Sequence, residues 1–146
     1  MLLPILVGAV LGAVFAIFAR ARKGAELRLL AIGLVVAALI YVGLALAGRG
    51  RDWLAIEMVG LVLFSCLAWL GLRSSRWWLA VGWLAHVGWD VGLHLDRAQA
   101  VVAAWYPLLC VGFDLVVAGF LLSAAPGRRD RPLELPDARG GAPEAH

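Results

Sequence analysis

The chain has 146 residues, of which 63% are hydrophobic and only 16% charged, with a mean hydropathy of +0.89. A soluble domain carries about 25% charge and about 45–50% apolar residues. A globule of this length has too little interior to hide the excess, so lipid must cover most of it. The formal charge of +3 does not point to nucleic acid, because no basic stripe interleaved with aromatics accompanies it.

A helix needs about 20 apolar residues to cross the hydrocarbon core, at about 1.5 Å per residue. Five stretches satisfy this, and they predict an all-α integral membrane bundle of five transmembrane helices occupying residues 1–123. The first, residues 1–19, holds no charge. Its basic cluster follows the apolar run instead of preceding it, which fits a retained helix with an outward N-terminus better than a cleaved signal. Gly8, Gly12 and Ala16 form a small-residue ridge along it, suited to close helix approach in lipid.

The second span covers residues 29–47 and the third residues 53–72. The third carries Glu57 one turn after Trp53. The fourth, residues 77–95, has a second ridge at Gly88 and Gly92 and the pattern His86-x3-Asp90-x3-His94. Both ridges are read as packing within one bundle, with a homodimer left open. The fifth span, residues 101–123, places Tyr106, Cys110 and Asp114 four residues apart, with Pro107 near its start. Cys66 and Cys110 stand in apolar runs without a CxxC and are read as small hydrophobes. Residues 124–146, with Pro126, Pro132, Pro136 and Pro143 among charged residues and glycines, read as a disordered cytoplasmic tail.

Orientation follows from the basic residues. Arg20, Arg22, Lys23, Arg28, Arg73, Arg76, Arg128, Arg129, Arg131 and Arg139 fall on one side, and only Arg49, Arg51 and Arg97 on the other. The positive-inside rule puts the richer side in the cytoplasm of a bacterial-type plasma membrane and the N-terminus outside. Trp53 and Trp105 then mark the outer interface, and Trp69, Trp77 and Trp78 the inner one.

Ionisable groups at bilayer depth cost roughly 2.5–3.5 kcal/mol each on insertion scales and are functional suspects. Five occur here: Glu57, His86, Asp90, His94 and Asp114. Residues four apart share a helix face, so His86, Asp90 and His94 line one face over about 12 Å. The helix directions put Glu57 and His94 near the outer surface, Asp90 somewhat below, and His86 and Asp114 near the middle, which predicts one pocket in the outer half of the bilayer, open to the outside. Trp83, Trp89 and Tyr106 are its candidate apolar walls.

Two chemistries suit these residues. Glu57, His86, Asp90 and Asp114 are candidate acid–base catalysts, because burial and neighbouring charges poise carboxylates and imidazoles for proton transfer. His86, Asp90 and His94 are candidate ligands for a divalent metal such as zinc, iron or manganese. The distance from His86 to His94 is too long for both to bind one ion in an undistorted helix. An i, i+4 pair joined by Glu57 or Asp114 is the workable arrangement.

The strings GWLAHVGWDVGLHL (82–95), WYPLLCVGFDLVVAG (105–119) and WLAIEMVG (53–60) resemble a family of uncharacterised bacterial membrane proteins of about this length. The resemblance covers the five helices. It implies a shared His/Asp/Glu core and brings no known activity. Three functions therefore stand: an intramembrane enzyme acting on a small apolar or lipid-like molecule, a proton- or ion-coupled carrier, and a structural or accessory membrane protein. A cysteine-accessibility map of the intact cell checks the topology. Residues 20–28 are expected to be shielded from an external, membrane-impermeant thiol reagent, and labelling there would overturn the orientation.

Overall fold

The computed structural model describes residues 2–48, 51–95, 103 and 105–123. The predicted tail lies outside the described residues. Among those described, five helices form an all-α bundle: α1 (Leu2–Ala21), α2 (Glu26–Gly48), α3 (Arg51–Arg73), α4 (Arg76–Trp89) and α5 (Trp105–Ser123), with no strand. A π-helical segment, Asp90–Leu95, continues α4 without a break. Four helices (α1, α2, α3 and α5) are long and apolar enough to cross a membrane.

Local signals explain the helix ends. Gly24 takes φ +85 in the turn between α1 and α2, a conformation that costs a residue without Cβ little. At the start of α4, Ser75 is extended and its hydroxyl accepts from the Trp77 N–H at 3.3 Å, the usual N-cap arrangement. Arg76 and Glu26 approach to 3.5 Å, tying the first turns of α4 and α2 together. The start predicted for the fifth helix, at residue 101, lies outside the described residues. Ala103 is not helical and α5 opens at Trp105, so Pro107 falls in the first turn, where its missing N–H has no intrahelical acceptor to lose.

Short connections suggest that consecutive helices are the closest neighbours. The structure departs from this at α1, which packs chiefly on α5 and only lightly on α2. The reason is the glycine ridge. A Cβ built at Gly8 would collide with the Leu109 carbonyl oxygen, one at Gly12 with the Phe113 backbone, and one at Gly112 with the Ile5 carbonyl oxygen. Only glycine lets the two backbones come this close. The second ridge behaves differently: a Cβ at Gly88 or Gly92 would meet no described atom within 4 Å.

The bundle interior divides along its length. Nearer the Arg76 end it is apolar, built from Leu30, Leu34, Ala38, Phe64, Leu67, Leu79, Trp83, Val117 and Leu121. Outside it, large apolar side chains such as Leu6, Val10, Val14 and Ile17 of α1 stand exposed, as a lipid-facing surface requires. Toward the opposite end, where α3 begins and the π segment ends, the interior becomes polar.

The close α1–α5 approach predicts a sharp positional effect. Gly8→Ala or Gly112→Ala should lower the unfolding free energy of the detergent-solubilised protein by about 1–3 kcal/mol, as overpacking does. Gly43→Ala and Gly119→Ala, which point into open space, should change it little. Equal effects at all four positions would contradict the packing.

Candidate functional site

All five ionisable residues singled out above are buried: Glu57 2% exposed, His86 0%, Asp90 0%, His94 2% and Asp114 1%. They come from α3, α4, the π segment and α5, and they divide into two groups.

The first group is centred on His86. Its Nδ1–H donates to Asp114 Oδ2 at 2.8 Å, and Asp90 Oδ2 lies 3.5 Å from the same nitrogen. Two carboxylates from different helices thus converge on one imidazole nitrogen, which has a single hydrogen to give. Asp114 takes it, and neither Asp90 oxygen makes a hydrogen bond; His86 Nε2 also lacks a partner. Phe64 covers the imidazole, ring centroids 4.8 Å apart. One ligand atom from each of His86, Asp90 and Asp114 lies within 4.8 Å of the others, close enough to share a metal ion.

The second group is centred on Glu57. His94 Nε2 stands 3.3 Å from Glu57 Oε1, and the Trp89 indole N–H donates to Glu57 Oε2 at 3.2 Å. Tyr41 stacks on His94 with ring centroids 4.1 Å apart and planes 11° from parallel. Trp53 approaches the same imidazole at 5.9 Å.

The π segment makes this arrangement possible. On an α-helix each four-residue step advances about 40° beyond a full turn, so His94 would stand about 80° around from His86. The wider turn of a π-helix reduces that drift. Asp90 and His94 both stay inside, while Val91 and Gly92 face out. The hydrogen bonding shifts where the change begins, since the Asp90 N–H reaches both His86 and Val87 carbonyls.

The structure keeps these residues on one inner face but gives them different partners. His94, read from the sequence as a metal ligand beside His86 and Asp90, pairs with Glu57; Asp114 takes its place beside His86. Of the expected pocket walls, Trp89 contacts Glu57 and meets Phe64 edge-on at 5.7 Å. A Cβ at Gly60 would strike the Trp89 ring, so the small residue lets the indole lie against α3. Tyr106 reaches the site through Tyr41, edge to face at 5.8 Å. Trp83 points into the apolar core against Phe113 and Gly33, and its Nε1 is buried without a partner.

Tyr41 is the residue that sequence reasoning missed. It is 1% exposed, stacks on His94, lies 5.9 Å from the His86 ring and has its hydroxyl beside Asp90. It thus touches both groups. A signal for it existed: Tyr41 is the only residue with a polar side-chain group between Leu29 and Ala47.

Pairing of Glu57 with His94 predicts non-additive mutational costs. Glu57→Leu or His94→Leu alone strands a buried partner, whereas the double substitution removes both polar groups. The double variant should be more stable than the sum of the single effects predicts, with a coupling of about 1–2 kcal/mol in chemical unfolding. Additive losses would show that the two side chains do not act as a pair.

Comparison with known proteins adds a family and no activity. No curated protein and no solved structure matches the chain. The sequence model of DUF6010, a family of unknown function, matches residues 1–127, which include every helix and all five buried ionisable residues. The chain belongs to that family.

Proposed function

We propose that this chain is a multi-pass enzyme of a bacterial-type plasma membrane, acting on a small apolar or lipid-like molecule at the His86–Asp90–Asp114 group. On this reading, α4 and its π-helical extension form a fifth membrane-spanning segment. The N-terminus lies outside and the polar half of the interior belongs to the outer half of the bilayer. The observation that carries the proposal is the convergence of Asp90 and Asp114, from two different helical segments, on one imidazole nitrogen with almost no exposed surface. A purely structural polar network in a membrane bundle satisfies its members, because an unsatisfied group in an apolar interior costs several kcal/mol. Two carboxyl groups competing for one hydrogen, and an imidazole Nε2 without a partner, are groups held ready for something else.

The roles follow from position. Asp114 fixes the His86 tautomer through Nδ1 and leaves Nε2 to accept a proton from, or return one to, a reacting molecule. Asp90 is the second acid–base group. Glu57, anchored by Trp89 and His94, supplies charge to the neighbouring group. The aromatic rings of Tyr41, Phe64, Trp89 and Tyr106 give the surroundings the apolar character that such a substrate needs, and their faces favour a developing cation. Solvent is kept away from the transfer, which strengthens every electrostatic interaction within it.

A second reading, a proton- or ion-coupled carrier, has one observation in its favour. Glu57, His94, Tyr41, Asp90 and His86 form a continuous run of proton-capable side chains along the interior, the usual equipment of an intramembrane relay.

The two are separated by comparing cells that express wild type, His86→Ala or Asp114→Asn in a deletion background. The enzyme reading predicts that an apolar metabolite or lipid changes in abundance with wild type and not with either variant. Reconstituted liposomes should meanwhile show no variant-sensitive proton or ion flux. Flux that is lost in Asp114→Asn, with an unchanged lipid profile, would replace the enzyme with the carrier.

A further inference from the structure

The two buried groups differ in how carboxyl groups and imidazoles are matched. Glu57 faces His94 one to one at 3.3 Å, with the Tyr41 ring stacked on the imidazole. In the other group two carboxyl groups, Asp90 and Asp114, converge on one imidazole nitrogen, which has a single hydrogen to give. Its site has no exposed surface and lies among apolar helices.

We infer that His86, Asp90 and Asp114 are the protein ligands of one divalent transition-metal ion, and that His94 is not among them. This rests on the reading above, in which the same group is the reaction centre, and it changes the part played by His86: with an ion on Nδ1 the ring hydrogen sits on Nε2, which then donates. A doubly charged ion would give both carboxyl groups a common partner and would engage Asp90 Oδ2, which stands 3.5 Å from Nδ1. It also replaces the shared hydrogen on Nδ1 as the element that draws the two acids together. The spacing fits: ligands about 2.1 Å from an ion at octahedral or tetrahedral angles lie about 3.0–3.4 Å from one another. The separations from Nδ1 are 2.8 and 3.5 Å, to Asp114 and Asp90, and all three ligand atoms lie within 4.8 Å of one another, so the carboxyl groups need only a small rotation to close on an ion.

The donor set also selects the ion. One imidazole nitrogen and two carboxylates suit zinc, manganese or ferrous iron. Calcium takes 6–8 oxygen ligands, and magnesium keeps most of its water, so both fit a dry three-ligand site poorly. Three protein ligands leave a position open for water or substrate, as catalytic sites do and structural ones do not. Glu57 and His94 are then neighbours of the site, and the Tyr41 hydroxyl beside Asp90 is placed to orient that ligand, as outer-sphere partners do.

The test is the metal content of the full-length protein, extracted in mild detergent without chelators and measured by elemental mass spectrometry. Wild type should carry close to one zinc, manganese or iron per chain. Asp90→Asn and Asp114→Asn should fall at least tenfold, and His94→Ala should retain the wild-type content. Circular dichroism of each variant establishes that the helices persist. As a second measurement, cobalt(II) added to stripped wild type should give visible absorption bands that Asp114→Asn lacks and His94→Ala keeps. A wild type that stays metal-free after incubation with each ion overturns the inference. So does equal retention in all variants, which marks an adventitious ion only, or loss in His94→Ala as complete as in Asp90→Asn. A metal-free wild type whose lipid profile still depends on Asp114 would sink the metal site and leave the enzyme standing.

Discussion

The hydrogen bond between His86 Nδ1 and Asp114 Oδ2, 2.8 Å long and without solvent exposure, is the contact around which the rest of the interior is organised. It joins α4 to α5 at the point where the bundle changes from apolar to polar. Once α4 and α5 are fixed in this register, Asp90 one turn along must lie beside the same imidazole, and Tyr41 of α2 closes over it. The apolar half nearer Arg76, from Leu30 to Leu121, supplies packing energy. The polar half uses that stability to hold groups that would not remain together in an apolar medium by themselves.

Two features of the backbone serve this arrangement. Glycines at 8, 12 and 112 let α1 lie almost directly on α5, giving the helix that carries Asp114 a close, rigid neighbour on its far side. The π segment then turns His94 inward to meet Glu57 of α3. Helices α3, α4 and α5 each contribute ionisable side chains to the polar half, α2 contributes Tyr41, and α1 contributes none. Its part is to hold α5 in place while presenting its other face to lipid.

Much of this was legible in the sequence. Composition and run lengths point to apolar helices because a helix in lipid must satisfy its own backbone and expose apolar side chains, and both demands leave long, unmistakable runs. Glu57, His86, Asp90, His94 and Asp114 stand out for the same reason: charge within such runs is conspicuous. Helix direction already set Glu57 level with His94 and His86 level with Asp114, but it left all five in one pocket and did not show that they divide into two groups. Four-residue spacing assumes a uniform helix, and the change of pitch after Trp89 that keeps His94 on the inner face is not written in that spacing. Which of Glu57 and Asp114 faces His86 depends on packing between helices, a property of shape that spacing within one helix does not carry. Tyr41 was overlooked because a phenol among aliphatic residues looks like one more apolar side chain, although its hydroxyl needs a place in the interior.

The central claim is that His86 and His94 occupy a dry interior, each held by a carboxylate from a neighbouring helix. Nitrogen-15 spectra of histidine-labelled His146→Gln protein in lipid bilayers test it most directly, since the chain has three histidines and this variant keeps only the two of interest. Both imidazoles should be unaffected by a water-soluble paramagnetic agent that quenches them in the denatured protein, and both should show contacts to carboxylate carbons. Rapid quenching of either ring in the folded protein would mean that water reaches it, and the reasoning from buried polar groups would fail.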